Sequence, residues 1–374
     1  LMRADGKFEV VNQKNGEWTH YKRKNQFEVS FDQLWLKLES LGLVDEKHFQ
    51  SILNTGMYKY CPDTMNVTQA QHEALTSIIH TIDSGETFPH IGQGFLARPI
   101  LIEGDAGTGK TVVATTLFYY LKTHPKYKSL KIGLVYSNPA MRNVIQQVFA
   151  HTPGLRKTDV IAPIDVTKHH YDIIICDEAQ RLRQAKNIGR YIVHFKKGNE
   201  RLHLDNSHDE LDWLLLNAGR LILFYDPKQI VCPSDISQTK FDGRLKDRKR
   251  GIRPVELKEQ MRIHAGSQYV PYIYDILFQR NNISKKFVNY DFKLFSSFQD
   301  MWNALEEKEA AVKLCRFCSG YGWPWVSKED SKKPDIQLEG REIWWNRQTD
   351  GWLQNPEAKL EMGSIYSLAG LDIN

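Results

Sequence analysis

Eight consecutive residues, Gly104-Asp105-Ala106-Gly107-Thr108-Gly109-Lys110-Thr111, follow the spacing G-x-x-x-x-G-K-[ST] and could hold a chain of phosphates. Glycines at 104, 107 and 109 let the backbone curl until successive N–H groups point at one anion, and the positive end of a following helix adds to that field. Lys110 then reaches the β- and γ-phosphates of ATP, and the Thr111 hydroxyl sits on Mg²⁺. The whole run, Asp105, Ala106 and Thr108 included, is expected to bind the nucleotide. Residue frequencies alone produce the pattern in roughly one chain of this length in a hundred, so an accidental glycine-rich turn is the competing explanation.

A second segment, Tyr171-Asp172-Ile173-Ile174-Ile175-Cys176-Asp177-Glu178-Ala179-Gln180, reads as an apolar strand ending in two carboxylates. Asp177 at the strand tip is placed to hold Mg²⁺ through water, and Glu178 to polarise an attacking water as general base. Acidic pairs also cap helices, and for this segment alone that reading stays open. The order Asp-Glu-Ala-Gln points to helicase-type ATPases.

Both groups need a scaffold that delivers them to one edge. Strands are expected at residues 100–102, 131–136, 160–162, 172–176 and 220–225, alternating with helical stretches. Pro139 is expected to begin one helix and Gly219 to end another. Such alternation predicts an α/β fold, a parallel sheet with helices on both faces and its ligand at the carboxyl ends of the strands. Residues 1–65 read as polar and irregular, then helical at 31–43 and 46–53, and are taken as an N-terminal accessory region. The ATPase core is expected over 66–233, a basic linker over 234–253 and a second domain over 254–374. The linker carries Lys240, Arg244, Lys246, Arg248, Lys249, Arg250 and Arg253.

The chain has 374 residues, 41% of them hydrophobic, enough for at least two ordinary cores. A net charge of +5 and a pI near 8.7 permit a nucleic-acid surface without requiring one. Five cysteines suggest no disulfide framework. Cys315 and Cys318 have the spacing of half a zinc site, with two core thiols as the alternative. No apolar run approaches ~20 residues and no signal pattern opens the chain, so a cytoplasmic protein free of membrane contacts is expected. Leu1 before Met2 suggests a fragment.

Further segments fall into the order of superfamily 1 helicase motifs. Thr68-Gln69-Ala70-Gln71 resembles the Q motif, Asp226-Pro227-Lys228-Gln229 the G-D-P-x-Q motif, Leu257-Lys258-Glu259-Gln260-Met261-Arg262 motif IV, and the stretch from Gly363 through Gly370 to Asp372 motif V. With Gly320-Tyr-Gly-Trp-Pro-Trp325 and Trp345-Asn346, the chain from about Gln71 onward resembles the bacterial Schlafen group 3-like DNA/RNA helicase family. The resemblance implies two RecA-like P-loop NTPase domains, the second incomplete, with ATP and Mg²⁺ in the cleft between them. It implies catalytic roles for Lys110, Glu178, Gln229 and Arg262, metal contacts from Thr111 and Asp177, and an adenine contact from Gln71. An arginine arriving from a movable domain stabilises the γ-phosphate charge only when the cleft closes, which couples closure to hydrolysis. For Arg262 a plain surface role, and for Gln229 a plain turn role, remain the alternatives. Two departures stand out: Ala369 replaces the usual Gln or Lys of motif V, and the chain stops at Asn374 before motif VI. This chain alone is therefore expected to bind ATP but turn it over poorly.

The expected partner is single-stranded DNA or RNA. Ser137-Asn138 resembles motif Ia, which holds strand phosphates, and Arg248, Lys249 and Arg250 are candidate phosphate contacts. Trp323, Trp325, Trp344 and Trp345 are candidate stacking platforms, although Trp-Pro-Trp at a glycine turn more often packs a core. The reading is an ATP-dependent helicase-like motor or remodelling ATPase. The rival is a regulatory switch whose nucleotide-driven closure signals to a fused or partner effector.

Overall fold

The computed structural model describes residues 11–14, 17–20, 60–62, 67–84, 99–245, 255–259, 268–280, 285–287, 290–312, 315–347 and 361–365, with Trp352, Asn355 and Ala358. The helices expected at 31–43 and 46–53, the arginines and lysine at 248–250, Arg262, and Ala369 with Gly370 lie outside the described residues. The chain divides into two compact units, Leu1–Asn54 and Thr55–Asn374.

In the first unit, β1 (Val11–Lys14) and β2 (Glu17–His20) pair antiparallel, with Val11 opposite His20 and Lys14 opposite Glu17. This corrects the expectation of an irregular start. The signal was Asn15-Gly16 between the two segments, a dipeptide suited to two-residue hairpin turns.

The second unit begins with α1 (Gln69–Asp83), β3 (Pro99–Gly104), α2 (Lys110–Thr123), β4 (Ile132–Tyr136) and α3 (Pro139–His151). It continues with β5 (Val160–Ile161), the single turn α4 (Pro163–Val166), β6 (Tyr171–Asp177), α5 (Ile192–Arg201), α6 (Glu210–Asn217) and β7 (Ala218–Tyr225). Then come α7 (Gln238–Leu245) and β8 (Val255–Leu257). Among the described residues the strands from β3 to β8 form one parallel sheet of six, in the order β5-β4-β6-β7-β3-β8.

The continuous apolar runs of β3, β4, β6 and β7 follow from helices covering both faces. Successive side chains divide between two cores, as a period of two requires. Ile100, Ile102, Ile173, Ile175, Ile222 and Phe224 join Leu117 and Phe118 of α2 and Ile145 of α3 on one face. Leu101, Ile174, Cys176, Leu221 and Leu223 join Phe195 of α5, Trp213 and Leu214 of α6 and Phe241 of α7 on the other.

Two sequence expectations need correction. Gly219 does not end a helix: α6 stops at Asn217 and Gly219 lies within β7, where a Cβ would stand 2.9 Å from the Asp172 carbonyl oxygen. Its absent side chain serves strand approach rather than helix termination. The stretch expected as a basic linker instead holds α7, which buries Phe241 and Leu245 in the second core, and the segment after it returns to the first sheet, since β8 pairs with β3 and buries Leu257 in the first core.

Beyond β8 lie α8 (Tyr269–Leu277), α9 (Phe298–Val312), β9 (Phe317–Ser319), β10 (Ile336–Leu338), β11 (Arg341–Trp345) and β12 (Glu361–Ser364). The last four strands form a mixed sheet, β10-β11-β12-β9, over a core of Trp302, Phe317, Ile336, Ile343, Trp345 and Met362. Its antiparallel β10–β11 pair differs from the wholly parallel first sheet, so a matched pair of RecA-like domains does not follow from the fold.

Candidate nucleotide site

The carboxyl ends of β3, β7 and β6 lie side by side, and each continues into a loop rich in polar groups. β7 stands between the other two strands. This inserts the Asp226-Gln229 turn between the phosphate-loop strand and the Asp177 strand.

The phosphate loop owes its shape to close approaches. At Gly104 a Cβ would meet Thr108 Oγ1 at 2.5 Å and the Leu257 carbonyl oxygen at 3.0 Å, so the loop and the β3–β8 pairing leave a side chain there little room. Gly109 caps α2 with φ 83°, a left-handed conformation costly for other residues, and the Gln71 amide lies where its side chain would be. Lys110, buried at the head of α2, donates to the carbonyl oxygens of Gly104 (2.7 Å) and Asp105 (3.0 Å) and lies 3.6 Å from the Asp226 carboxylate. Asp105 also accepts the Thr108 hydroxyl at 2.9 Å, and Ala106 is exposed at the loop tip. Gln71 belongs to a capping box: its Oε1 accepts the Thr68 N–H at 3.0 Å, which leaves the amide nitrogen facing the loop.

Across β7, Thr111 Oγ1 donates to Asp177 Oδ2 at 2.6 Å. Asp177 is wholly buried and accepts the Glu178 N–H at 3.0 Å. Glu178 adopts φ 53° and ψ 46°, a left-handed conformation that costs on the order of 1 kcal/mol in a residue with a side chain. Burial raises the carboxyl pKa of both residues. For Asp177 the Thr111 hydrogen bond and the Lys110 charge oppose the rise. For Glu178 the neighbouring Asp177 charge adds to it and Lys110 opposes it.

The sequence pattern D-E-x-Q gave Gln180 no role, yet its side chain ties two loops together. Fully buried, it donates from Nε2 to Glu178 Oε2 at 2.6 Å and accepts the Asp226 N–H on Oε1 at 3.1 Å. Asp226 in turn accepts from Gln229 Nε2 at 2.7 Å. Lys228 was likewise overlooked: its ammonium bonds the Asp105 carboxylate at 2.8 and 3.1 Å and stands 5.0 Å from the ring centre of Tyr274. Both lie in segments already marked in the sequence, Asp177-Glu178-Ala179-Gln180 and Asp226-Pro227-Lys228-Gln229.

Gln180→Glu tests the bridge. The variant keeps an acceptor for the Asp226 N–H but replaces the donor to Glu178 with a repelling carboxylate. The expected result is a fall in turnover of about tenfold or more with a smaller change in ATP affinity, since the bridge touches the candidate base Glu178 directly and reaches Lys110 only through Asp226. Steady-state turnover equal to the unsubstituted chain would show that the bridge only packs.

Candidate nucleic-acid residues divide. Asn138 spends its Oδ1 on the Ala140 N–H at 3.0 Å, capping α3, while the buried Ser137 hydroxyl has no partner among the described residues. Trp345 is wholly buried in the smaller core, which removes it as a platform, and the half-buried Trp323 and Trp325 pack against that core. Trp344 is half-buried beneath the Arg347 guanidinium, 4.6 Å from its ring centre. Cys315 is buried and Cys318 exposed, and no group of three or more His, Cys, Asp or Glu side chains able to hold a metal occurs among the described residues. No described helix is long and apolar enough to cross a membrane.

A protein-family model described as Schlafen group 3, DNA/RNA helicase domain, matches residues 98–374. Uncharacterized protein YPL245W of Saccharomyces cerevisiae is 26% identical over 314 residues, covering 73% of this chain and 66% of the yeast protein. The chain thus spans just under two-thirds of that relative's length. The expectation of a bacterial protein finds no support in this yeast match. Among solved structures, one of DNA unwinding at forked dsDNA by two coordinating Pif1 helicases aligns at 12% identity over 72% of this chain and 57% of the other, with a TM-score of 0.31. AMPPCP-bound DnaA from Aquifex aeolicus aligns at 16% identity over 73% and 69%, with a TM-score of 0.27. At such scores these structural likenesses decide nothing about the chain.

Proposed function

Because the chain belongs to the Schlafen group 3, DNA/RNA helicase domain family, we propose that it is an ATPase of helicase type, binding ATP and Mg²⁺ at the phosphate loop and responding to single-stranded nucleic acid. The observation that carries this reading is the connected network from Thr111 through Asp177, Glu178 and Gln180 to Asp226 and Gln229. It joins the cradle, the metal-facing carboxylate, the base and the γ-phosphate sensor in one set of hydrogen bonds.

The residues present fit the two ligands. Gly107 and Gly109, at φ 81° and 83°, curl the loop so that its N–H groups can face an anion, and Lys110 supplies the charge. Thr111 and Asp177 offer hard oxygens, the donor set that suits Mg²⁺ bound mainly by water and phosphate. When bound, the metal neutralises charge on the phosphate oxygens. Lys110 would leave its loop carbonyls for the phosphates, and Glu178 would orient and deprotonate water, held in place by Gln180. Gln229 would read the γ-phosphate through its bond to Asp226, and Arg262 from the second domain would complete the charge clamp.

The Lys228 bridge favours one further element, a switch. By joining Asp105 of the loop to Tyr274 of α8, it offers a route for nucleotide state to reach that helix without any strand being unwound. ATP turnover with and without single-stranded DNA and RNA separates the readings. Stimulation of tenfold or more by either polymer is expected for the motor. Measurable turnover indifferent to both polymers would leave the switch.

A further inference from the structure

The loops entering β4, β5 and β6 build a second charged feature at the amino edge of the parallel sheet, the edge opposite the phosphate loop. There Lys122, Lys128, Lys131, Arg156, Thr158 and Asp159 line a cleft of about 340 Å³ with a floor of Ile132, Ile161 and Tyr171. Lys110 and Lys122 mark the two ends of α2, roughly 18 Å apart at 1.5 Å per residue, so the cleft is a separate place from the nucleotide site.

Four cations line the cleft together with one carboxylate, Asp159. Asp159 is buried and shared, 3.5 Å from Lys122 and 3.2 Å from Arg156. The nearby Asp172 carboxylate accepts the Lys131 main-chain N–H at 2.7 Å and keeps its charge, so four cations stand against two carboxylates. The Lys131 ammonium lies 4.9 Å from the Tyr171 ring centre, and Lys128 is exposed on the lining. Like charges held this close repel unless an anion joins them, and a multivalent oxyanion neutralises several at once. Metal cations are repelled by the same field. The hydroxyls of Thr158 and Ser129, also on the lining, can donate to further oxygens.

We propose that this cleft is a second phosphate-binding site, taking phosphate groups at the edge of the core away from the phosphate loop. The chemistry is common to a nucleic-acid backbone and to free phosphate or pyrophosphate. The inference does not depend on the helicase reading, because none of its residues belongs to the nucleotide network.

The test uses the full 374-residue chain, saturated with ADP and Mg²⁺ to fill the phosphate loop. Lys128→Ala, Lys131→Ala and Arg156→Ala are combined in one variant; all three side chains are exposed and Lys122 still pairs the buried Asp159, and thermal unfolding of the variant is measured beside binding. A control combines Lys186→Ala, Lys196→Ala and Lys197→Ala, the same loss of charge at exposed positions elsewhere. Binding of a labelled single strand is followed by anisotropy across a salt series, and binding of pyrophosphate by calorimetry. If the source is nucleic acid, the cleft variant loses about tenfold in strand affinity and its log–log salt slope becomes shallower by about 2, three contacts at roughly 0.7 each, while the control changes little. If the source is free phosphate, strand binding is unchanged and pyrophosphate binding disappears from the cleft variant alone. Equal effects of variant and control, or no effect on either ligand, overturn the proposal. A chain that binds no strand at all counts against the helicase reading, and the pyrophosphate measurement still judges the cleft.

Discussion

Replacing Lys110 with alanine is expected to remove ATP turnover, by about 10³-fold or more, which corresponds to about 4 kcal/mol of transition-state stabilisation. The reason is positional. The ammonium is buried at the head of α2, satisfied by the carbonyls of Gly104 and Asp105 and by the charge of Asp226. Water in its place brings no fixed charge to two phosphates at once. Truncation also leaves the buried Asp226 without its cation, so thermal unfolding of the variant and of Lys110→Arg accompanies the measurement. Arginine keeps the charge and the fold but lacks a single-point ammonium, and is expected to restore stability more than turnover. Single-turnover hydrolysis at the unsubstituted rate in a folded Lys110→Ala variant would falsify the assignment of the site.

Glu178→Gln is expected to separate binding from chemistry. The amide keeps the size and the acceptor that Gln180 uses, so the bridge to Asp226 persists and ATP stays bound. Hydrolysis slows by about 10² or more, because the carboxylate acts on the water and not on the ground-state complex. Burial and the adjacent Asp177 raise the Glu178 carboxyl, and a base works only when deprotonated. Turnover of the unsubstituted chain therefore climbs as pH rises toward neutrality, and the variant lacks that climb. Nucleotide affinity measured beside the rate decides the matter: if both collapse together, Glu178 is a binding residue and the base lies elsewhere.

Much of the site was legible before any folding because its chemistry is contiguous. Gly104 through Thr111 sit on one loop, and Asp177 with Glu178 at one strand end, so backbone geometry and local residue type specify them together. The central strands were legible for a similar reason, since burial on both faces writes itself as unbroken runs such as Ile173-Ile174-Ile175. The hairpin at β1 and β2 was missed although Asn15-Gly16 marked it, because polar strands carry no apolar alternation. Gly219 was misread because a glycine that ends a helix and one that admits a neighbouring strand look alike in one dimension.

The sequence by itself marked which residues could carry the chemistry and that parallel strands would present them at one edge, since period, propensity and loop composition are local properties. Only the tertiary structure decided who touches whom. That Thr111 meets Asp177 across the intervening β7, that Gln180 joins Glu178 to Asp226, and that Lys228 reaches Asp105 are contacts between residues 46 to 123 positions apart, apart from the short step from Glu178 to Gln180. Strand order brings them together, and strand order is chosen by the packing of two cores on one sheet, an energy summed over the whole domain that no single segment contains.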